Sequence, residues 1–398
     1  MLQELHAENL HSHDDCRKYL GKLFKPKFYE CPDWFSDEEI ADLLLKKHIL
    51  IHLDNGIDKF NLLVFMTKKL FTFAQDKCIV EGVDAVMMQE LLLGKENLDE
   101  RVSCARRPSI FIGGHLYLQV LKERMQGWLF SLKSTILKQS KGSTLYGLNQ
   151  ADMLNSARFS GTIEHFMEMF LATGNIKSPT GLGLMQDKGL TIVPENINRM
   201  RYMSHFKAVH RGAFFQEMRT TEARQLLPDA WGFICPVHTP DGAPCGLLNH
   251  LTKNCLVTDI PDPEKVKNVA DILAYSGMKQ VDNFLGNNLS LKEYYQTQLD
   301  GKMVGYVHKD IVENVIKKLR LLKMEGKRVP KTLEIVLVPI KEVKWQYPGL
   351  FLFTGPARMM RPVLNLSTNT IELIGTFEQV YMDICVKPKE IYNGNRYS

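Results

Sequence analysis

Residues 231–252 read WGFICPVHTPDGAPCGLLNHLT, and the reading of this stretch decides what kind of molecule the chain is. Cys235, His238, Cys245 and His250 follow one another as C-x2-H-x6-C-x4-H. Thiol and imidazole are the usual ligands of a tetrahedral zinc ion. The same residues enclose Pro240, Asp241, Gly242 and Pro244, the composition of tight turns that need no metal. Thr239–Gly242 suits a type I turn, with proline presetting φ at its second position. Cysteines flanked by apolar residues are also small buried hydrophobes. Spacing alone leaves a metal knuckle and a structural turn between buried strands both open.

Immediately upstream lies a basic segment. Between Arg199 and Arg224 stand six cations (Arg199, Arg201, Lys207, Arg211, Arg219 and Arg224) against two glutamates, Glu217 and Glu222. His205, His210, Tyr202, Phe206, Phe214 and Phe215 interleave with them. Cationic heads neutralise phosphates and aromatic faces stack on unpaired bases, so this composition suits a nucleic-acid-facing element. It equally suits a solvated loop with ordinary surface ion pairs. A second basic run, KKLRLLKMEGKRVPK (317–331), reads as the outer face of a helix and the turn behind it.

Further out, the first 108 residues read as helical. In DKFNLLVFMTKKLFTFAQ, Asp58 suits a helix cap, and Phe60, Leu63, Val64, Leu70 and Phe71 recur at helical spacing. A helix is expected after Gly113–Gly114, with a possible kink at Gly127, and another over ADMLNSARFSGTIEHFMEMFLAT, stopping at Gly174–Asn175. From Pro228 onward, proline–glycine turns and short apolar runs indicate a β-rich region. DIVENVIKKLRLLK places Val312, Val315, Ile316, Leu319 and Leu322 on one helix face, and TLEIVLVPI and LFLFTGPARMMRPVLNL read as strands.

The bulk properties agree with a multi-domain chain. Its 398 residues exceed one ordinary domain, and 44% hydrophobic against 24% charged residues excludes a disordered polymer. A net charge of +5 is small for this length, so any case for nucleic acid rests on local clustering. The eight cysteines lack framework spacing, which predicts free thiols in a reducing compartment. No run approaches the eighteen or so apolar residues of a membrane helix. A dinucleotide fingerprint, a phosphate loop, the metalloprotease H-E-x-x-H motif and the run of aspartates that would hold catalytic magnesium do not occur, so no self-contained active site is expected.

At Gly232, Cys235, Pro236, Thr239, Pro240, Gly242, Gly246 and Leu247 the opening stretch resembles the signature of the second-largest subunit of multisubunit RNA polymerases, approximately W/Y-G-x-x-C-P-x-E-T-P-E-G-x-x-x-G-L. SHFKAVHRG (204–212) and ARQLLPDAWG (223–232) resemble the family's SHLRR…PRQLH…HWG arrangement, and LATGN (171–175) and ARMMRPVL (357–364) echo two further family segments. The pattern is most similar to the polymerase I version. His238 departs from it, standing where most members have glutamate, and Asp241 replaces the following acidic residue. Because relatives without these histidines carry the same turn, the resemblance favours scaffold over metal.

The resemblance implies a mixed α+β, multi-domain fold: helical lobe and protrusion portions, then a β-rich fork and external domains. The expected boundaries are 1–110 lobe-like, 111–198 the second half of a protrusion, 199–256 fork, 257–386 external domains, and 387–398 a divergent tail. It implies nucleic-acid-facing roles for Lys207, Arg211, Arg219 and Arg224 in the fork. The structural motif is then Gly232, Cys235, Pro236, Thr239, Pro240, Asp241, Gly242 and Gly246. The function implied is a share in template-directed nucleotidyl transfer by RNA polymerase I in the nucleolus, with no catalytic residue and no metal in this chain and Mg2+ held in the assembled enzyme. The partners would be the largest subunit, other polymerase subunits, DNA template and RNA–DNA hybrid, with no membrane. Family members begin earlier and continue further, so a shortened product, from an alternative transcript, is expected. A non-catalytic isoform that only binds polymerase partners or nucleic acid, and a zinc-knuckle nucleic-acid binder, are the alternatives.

Overall fold

The computed structural model describes residues 10–28, 35–79, 84–89, 91–93, 110–142, 150–159, 163–176, 194–212, 221–281, 293–341 and 343–390, with isolated residues between them. The chain divides into two units, residues 1–63 with 126–161 and residues 64–125 with 162–398.

In the first unit, α1 (His13–Phe24) and α2 (Asp37–Lys47) each begin on a reciprocal capping box, Ser12 with Asp15 and Ser36 with Glu39. Each box satisfies backbone N–H groups that no helical carbonyl reaches. The two helices pack closely enough at Gly21 that a Cβ there would lie 1.7 Å from the Asp37 carbonyl oxygen. Helix α3 (Gly56–Ala74) follows, and buried Lys59 donates to the carbonyls of Leu45 and Ile49, closing the C-terminal end of α2.

Helix α3 corrects the sequence reading twice. Asp58 sits within its first turn and not at its cap. Of the predicted apolar face, Phe60, Leu63, Leu70 and Phe71 are exposed and Val64 is half-buried, while Leu62 and Phe65 are buried. The helix is apolar around most of its circumference, so neighbouring segments select the buried stripe and periodicity does not.

Helix α4 (Gly113–Gly142) starts where expected and runs through Gly127. Helices α5 (Gln150–Phe159) and α6 (Ile163–Thr173) replace the single helix expected there, and residues 160–162 between them lie outside the described residues. Gly174, with φ 66°, ends α6 as the sequence indicates. In the second unit Leu116 and Val120 of α4 pack with Met167, Phe170 and Ile176.

Strands β1 (Leu91–Leu93), β2 (Ile110–Ile112), β3 (Ala208–His210) and β4 (Leu248–His250) form a sheet in the order β2-β1-β3-β4, with β5 (Leu256–Val257) just beyond. Strand β1 lies where the sequence reads as helical, since its partners β2 and β3 come from later in the chain. Helix α7 (Arg199–His205) leads into β3. After α8 (Pro263–Tyr275) comes a five-stranded sheet of β6 (Lys279–Gln280), β7 (Tyr294–Leu299), β8 (Lys302–His308), β9 (Glu334–Val338) and β10 (Gly349–Phe353), in the order β6-β8-β7-β10-β9. The β7–β8 hairpin turns on Asp300–Gly301, both at positive φ, the two-residue turn whose twist matches its strands.

Helix α9 (Lys309–Glu325) buries Val312, Val315 and Leu319 against one face of this sheet, with Ile316 and Leu322 beside them, as its periodicity predicts. On the other face Val336, Val338 and Phe353 pack with Phe377 and Tyr381, and Phe65 of α3 meets Tyr347 edge-on at 5.4 Å. The expected strand run 350–366 divides into β10 and β11 (Met359–Asn365), and β11 pairs with β12 (Thr370–Gly375) and β5. The short helix α10 (Thr376–Val380) follows.

The basic run 317–331 is not simply an outer face. Lys323 is 1% exposed, and its ammonium lies 3.3 Å from Glu372 and 3.1 Å from Glu378. Arg320 joins the same two carboxylates at 2.7 and 2.9 Å. Burial pushes the Glu378 carboxyl up against the pull of Lys323 and Arg320. These two cations therefore tie α9 to β12 and α10 in place of solvating a surface.

Candidate nucleic-acid interface

The signature folds into one hydrogen-bonded unit. Its turns close from Cys245 N–H to the Gly242 carbonyl at 3.1 Å and from Leu247 N–H to the Pro244 carbonyl at 3.0 Å, three and five residues beyond the Thr239–Gly242 turn expected. The Thr239 hydroxyl knots the two limbs together, accepting from Gly246 N–H at 2.9 Å and donating to the Leu248 carbonyl at 2.9 Å. Asn249 Nδ2 donates to the Gly246 carbonyl at 3.0 Å, and Cys235 N–H to the His250 carbonyl at 2.8 Å. Pro236, Asp241 and Gly242 are exposed on the outer edge, while Cys235 and Pro240 are half-buried.

Arg224 clasps this unit from below, its Nη1 donating to the carbonyls of Ala243 and Cys245. Its own carbonyl oxygen is 2.5 Å from where a Cβ on Gly246 would lie. The root of the unit is equally tied down. Thr252 Oγ1 donates to the Gly232 carbonyl at 2.6 Å, and Asp229 Oδ2 accepts from Val86 N–H at 2.6 Å. Gln379 Nε2 reaches the carbonyls of Asp229 and Trp231 at 3.2 and 3.0 Å, and is itself oriented by Arg361 at 2.6 Å. Phe233, Ile234, Val209, Leu251 and Met359 form the core beneath.

The four predicted nucleic-acid-facing cations fare differently. Lys207 is exposed. Arg224 is half-buried and engaged by the turn. Arg211 is 7% exposed, bonded to Asp84 at 3.1 Å and to the Ala223 carbonyl at 2.7 Å, with Phe215 4.3 Å from its guanidinium. In place of an open head it forms an internal strut between the basic segment and residue 84. Arg219 lies outside the described residues. Among the described residues, the open cations nearby are Arg199, Arg201, Lys207 and Lys253, of which Arg201 pairs with Glu195 at 2.9 Å.

The Cys/His quartet does not close around a point. The rings of His238 and His250 stack face to face, centroids 3.4 Å apart and planes 8° off parallel, an arrangement that aligns ring faces and not lone pairs. Among the described residues, no three or more His, Cys, Asp or Glu side chains are placed to hold a metal ion. Burial pushes the nearby Cys255 thiol up to about 12, which keeps it protonated. Spacing does not reveal the stack; His250 reaches it from β4, where it pairs with Ala208 of β3.

That pairing puts His210 and His250 on the same face of the β3–β4 ladder, with Val209 on the other. Burial, followed by His238, His205 and Arg201, lowers the His250 pKa from 6.5 to about 4. The folded chain therefore binds this proton less readily than the unfolded chain does. The stability contribution is full above about pH 6.5 and is lost as pH falls towards 4, a difference of about 3 kcal/mol. Urea unfolding should show wild type losing that much more than His250→Phe between these pH values; parallel profiles would contradict the assignment.

The sequence model described as RNA polymerase Rpb2, domain 3, matches residues 192–257, and that described as RNA polymerase I, Rpa2 specific domain, matches residues 304–361. The DNA-directed RNA polymerase I subunit RPA2 of Drosophila melanogaster is 47% identical over 394 residues, 98% of this chain and 32% of the relative. The protein of the same name from Mus musculus is 40% identical over 395 residues, 99% of this chain and 33% of the relative. The probable counterpart in Schizosaccharomyces pombe is 39% identical over 407 residues, 98% of this chain and 32% of the relative. The chain thus spans about a third of the length of these curated relatives.

Proposed function

We propose that the chain belongs, over the residues it spans, to the second-largest-subunit family of RNA polymerase I and acts as a component of that polymerase in template-directed RNA synthesis. The observation that carries this reading is the match of two family segments in order, with the first coinciding with the knotted turn and its open cations. In the reading, residues 199–256 are the fork, residues 1–110 and 111–198 lobe and protrusion portions, and 257–386 external domains. Lys207 faces phosphate and Arg219 extends the same basic segment. Arg224 and Arg211 hold the fork in shape, so that open cations such as Lys207 are presented to the nucleic acid from a fixed frame.

The chemistry belongs to the assembly. Two-metal nucleotidyl transfer needs convergent carboxylates, and in this reading Mg2+ is held in the assembled enzyme while this chain contributes the fork. The partners are the largest subunit, other polymerase subunits, the DNA template and the RNA–DNA hybrid, and the place of work is the nucleolus. Tagged chain should recover the largest polymerase I subunit from nucleolar extract, with RNA synthesis on a promoter-independent template in the eluate. Recovery of neither would sink the proposal. Recovery without synthesis would leave a partner-binding chain and remove the contribution to catalysis.

A further inference from the structure

The His238–His250 stack has an unused side. His250 is 8% exposed and held by the β3–β4 ladder, whereas His238 lies over it at 3.4 Å and is itself exposed. The result is a ring fixed from behind by a second ring, at the separation of stacked aromatic planes. Free side chains that stack on a base must first lose rotamer freedom; a ring already seated on a buried partner has lost it on folding. Two cations stand near the pair, one of them, Arg201, also paired with Glu195 at the surface. Arg201 acts electrostatically on His250, and exposed Lys207 adjoins Ala208, the cross-strand partner of His250. Cations beside an aromatic platform are the elements of single-strand recognition, where bases stack and phosphates are neutralised.

We propose that His238, backed by His250, is a stacking seat for one unpaired nucleobase, with Arg201 and Lys207 neutralising the flanking phosphates. This rests on the nucleic-acid-facing reading above and adds a base-contacting residue to it. The identity of the base matters little to such a seat, because every base presents a π face. What matters is that the strand is single and carries bases.

The test uses the full chain and labelled oligonucleotides of about twelve nucleotides, within the usual site size of such grooves. The probes are oligo-dT, oligo-rU, an abasic strand of the same length and a duplex, read by fluorescence anisotropy at several salt concentrations. His238→Ala should weaken binding of a base-bearing single strand on the order of tenfold, leaving the salt slope unchanged and the abasic strand and duplex unaffected. His238→Phe, which keeps an aromatic face, should restore binding to within about twofold of wild type, following the same stacking argument. Lys207→Ala should weaken every probe and lower the salt slope by about one. The response on oligo-dT against oligo-rU identifies DNA or RNA as the occupant.

If Lys207→Ala weakens binding and His238→Ala does not, or if His238→Ala weakens the abasic strand equally, the stacking seat is wrong and the nucleic-acid-facing reading stands. A His238→Phe variant as weak as His238→Ala also overturns the seat. Wild type that binds none of the probes overturns both.

Discussion

Arg358→Ala should destabilise the second unit by about 3–5 kcal/mol, because it strands a buried carboxylate. Arg358 is 1% exposed. Its Nε donates to the Gly355 carbonyl at 2.7 Å, Nη2 to the Thr332 carbonyl at 2.7 Å, and Nη1 to Glu334 at 3.1 Å. Glu334, 2% exposed, also accepts from the N–H groups of Phe377 and Glu378 at 2.9 and 3.1 Å, at the start of α10. Thr258 fastens the Arg358 backbone in both directions, at 3.0 and 2.9 Å. One guanidinium thus ties the loop before β11 to β9 and the segment leading into β9, while the Arg358 backbone is fastened to the segment before α8. Arg358→Lys should recover only part of the loss, since an ammonium cannot reach three acceptors in a plane. Arg358→Met with Glu334→Gln should be milder than Arg358→Ala alone, because no unpaired charge is left buried. Denaturant unfolding followed by tryptophan fluorescence measures all three. A loss under about 1 kcal/mol for Arg358→Ala would show that the network is exposed to water in solution.

Two glycines of the signature should respond very differently to the same substitution. Gly242 and Gly246 have φ of 83° and 77°, so alanine is strained at either, by about 1–2 kcal/mol. Around Gly242 nothing lies within 4 Å of an added Cβ, and its cost should stop there. At Gly246 the Cβ would meet the Arg224 carbonyl oxygen at 2.5 Å, a backbone atom that cannot rotate away. Overpacking of that kind adds about 1–3 kcal/mol, for a total near 3. Moving Arg224 also loosens its hold on the Ala243 and Cys245 carbonyls, so Gly246→Ala should open the turn to proteolysis while Gly242→Ala leaves it protected. Equal sensitivity of the two variants would mean that the clasp does not hold the turn.

What could be read in advance followed from local physics. The face of α9 was legible because its polar residues alternate with Val312, Val315 and Leu319 at helical spacing. The end of α6 was legible because Gly174 takes a left-handed conformation at little cost. The reciprocal caps at Ser12 and Ser36 are equally present in the sequence, as Ser-x-x-Asp and Ser-x-x-Glu. The candidate site was legible as a location, since proline, glycine and threonine at fixed offsets require a turn. Its internal wiring was not: the bonds that Arg224 and Thr239 make depend on where distant residues arrive.

Local sequence was enough for a multi-domain α+β chain, the helices α3, α4, α6 and α9, the turn-rich signature and the basic segment before it. Tertiary structure alone decided which apolar stripe of α3 is covered, that residues 91–93 pair as a strand, and which cations face inward. Lys323, Arg211 and Arg358 look like surface charge in one dimension, yet each is buried against carboxylates or carbonyls from other segments. The physical reason is the cost of burying charge. A cation enters the interior only when a partner brought from elsewhere in the chain compensates its lost hydration, and no local window of sequence contains that partner.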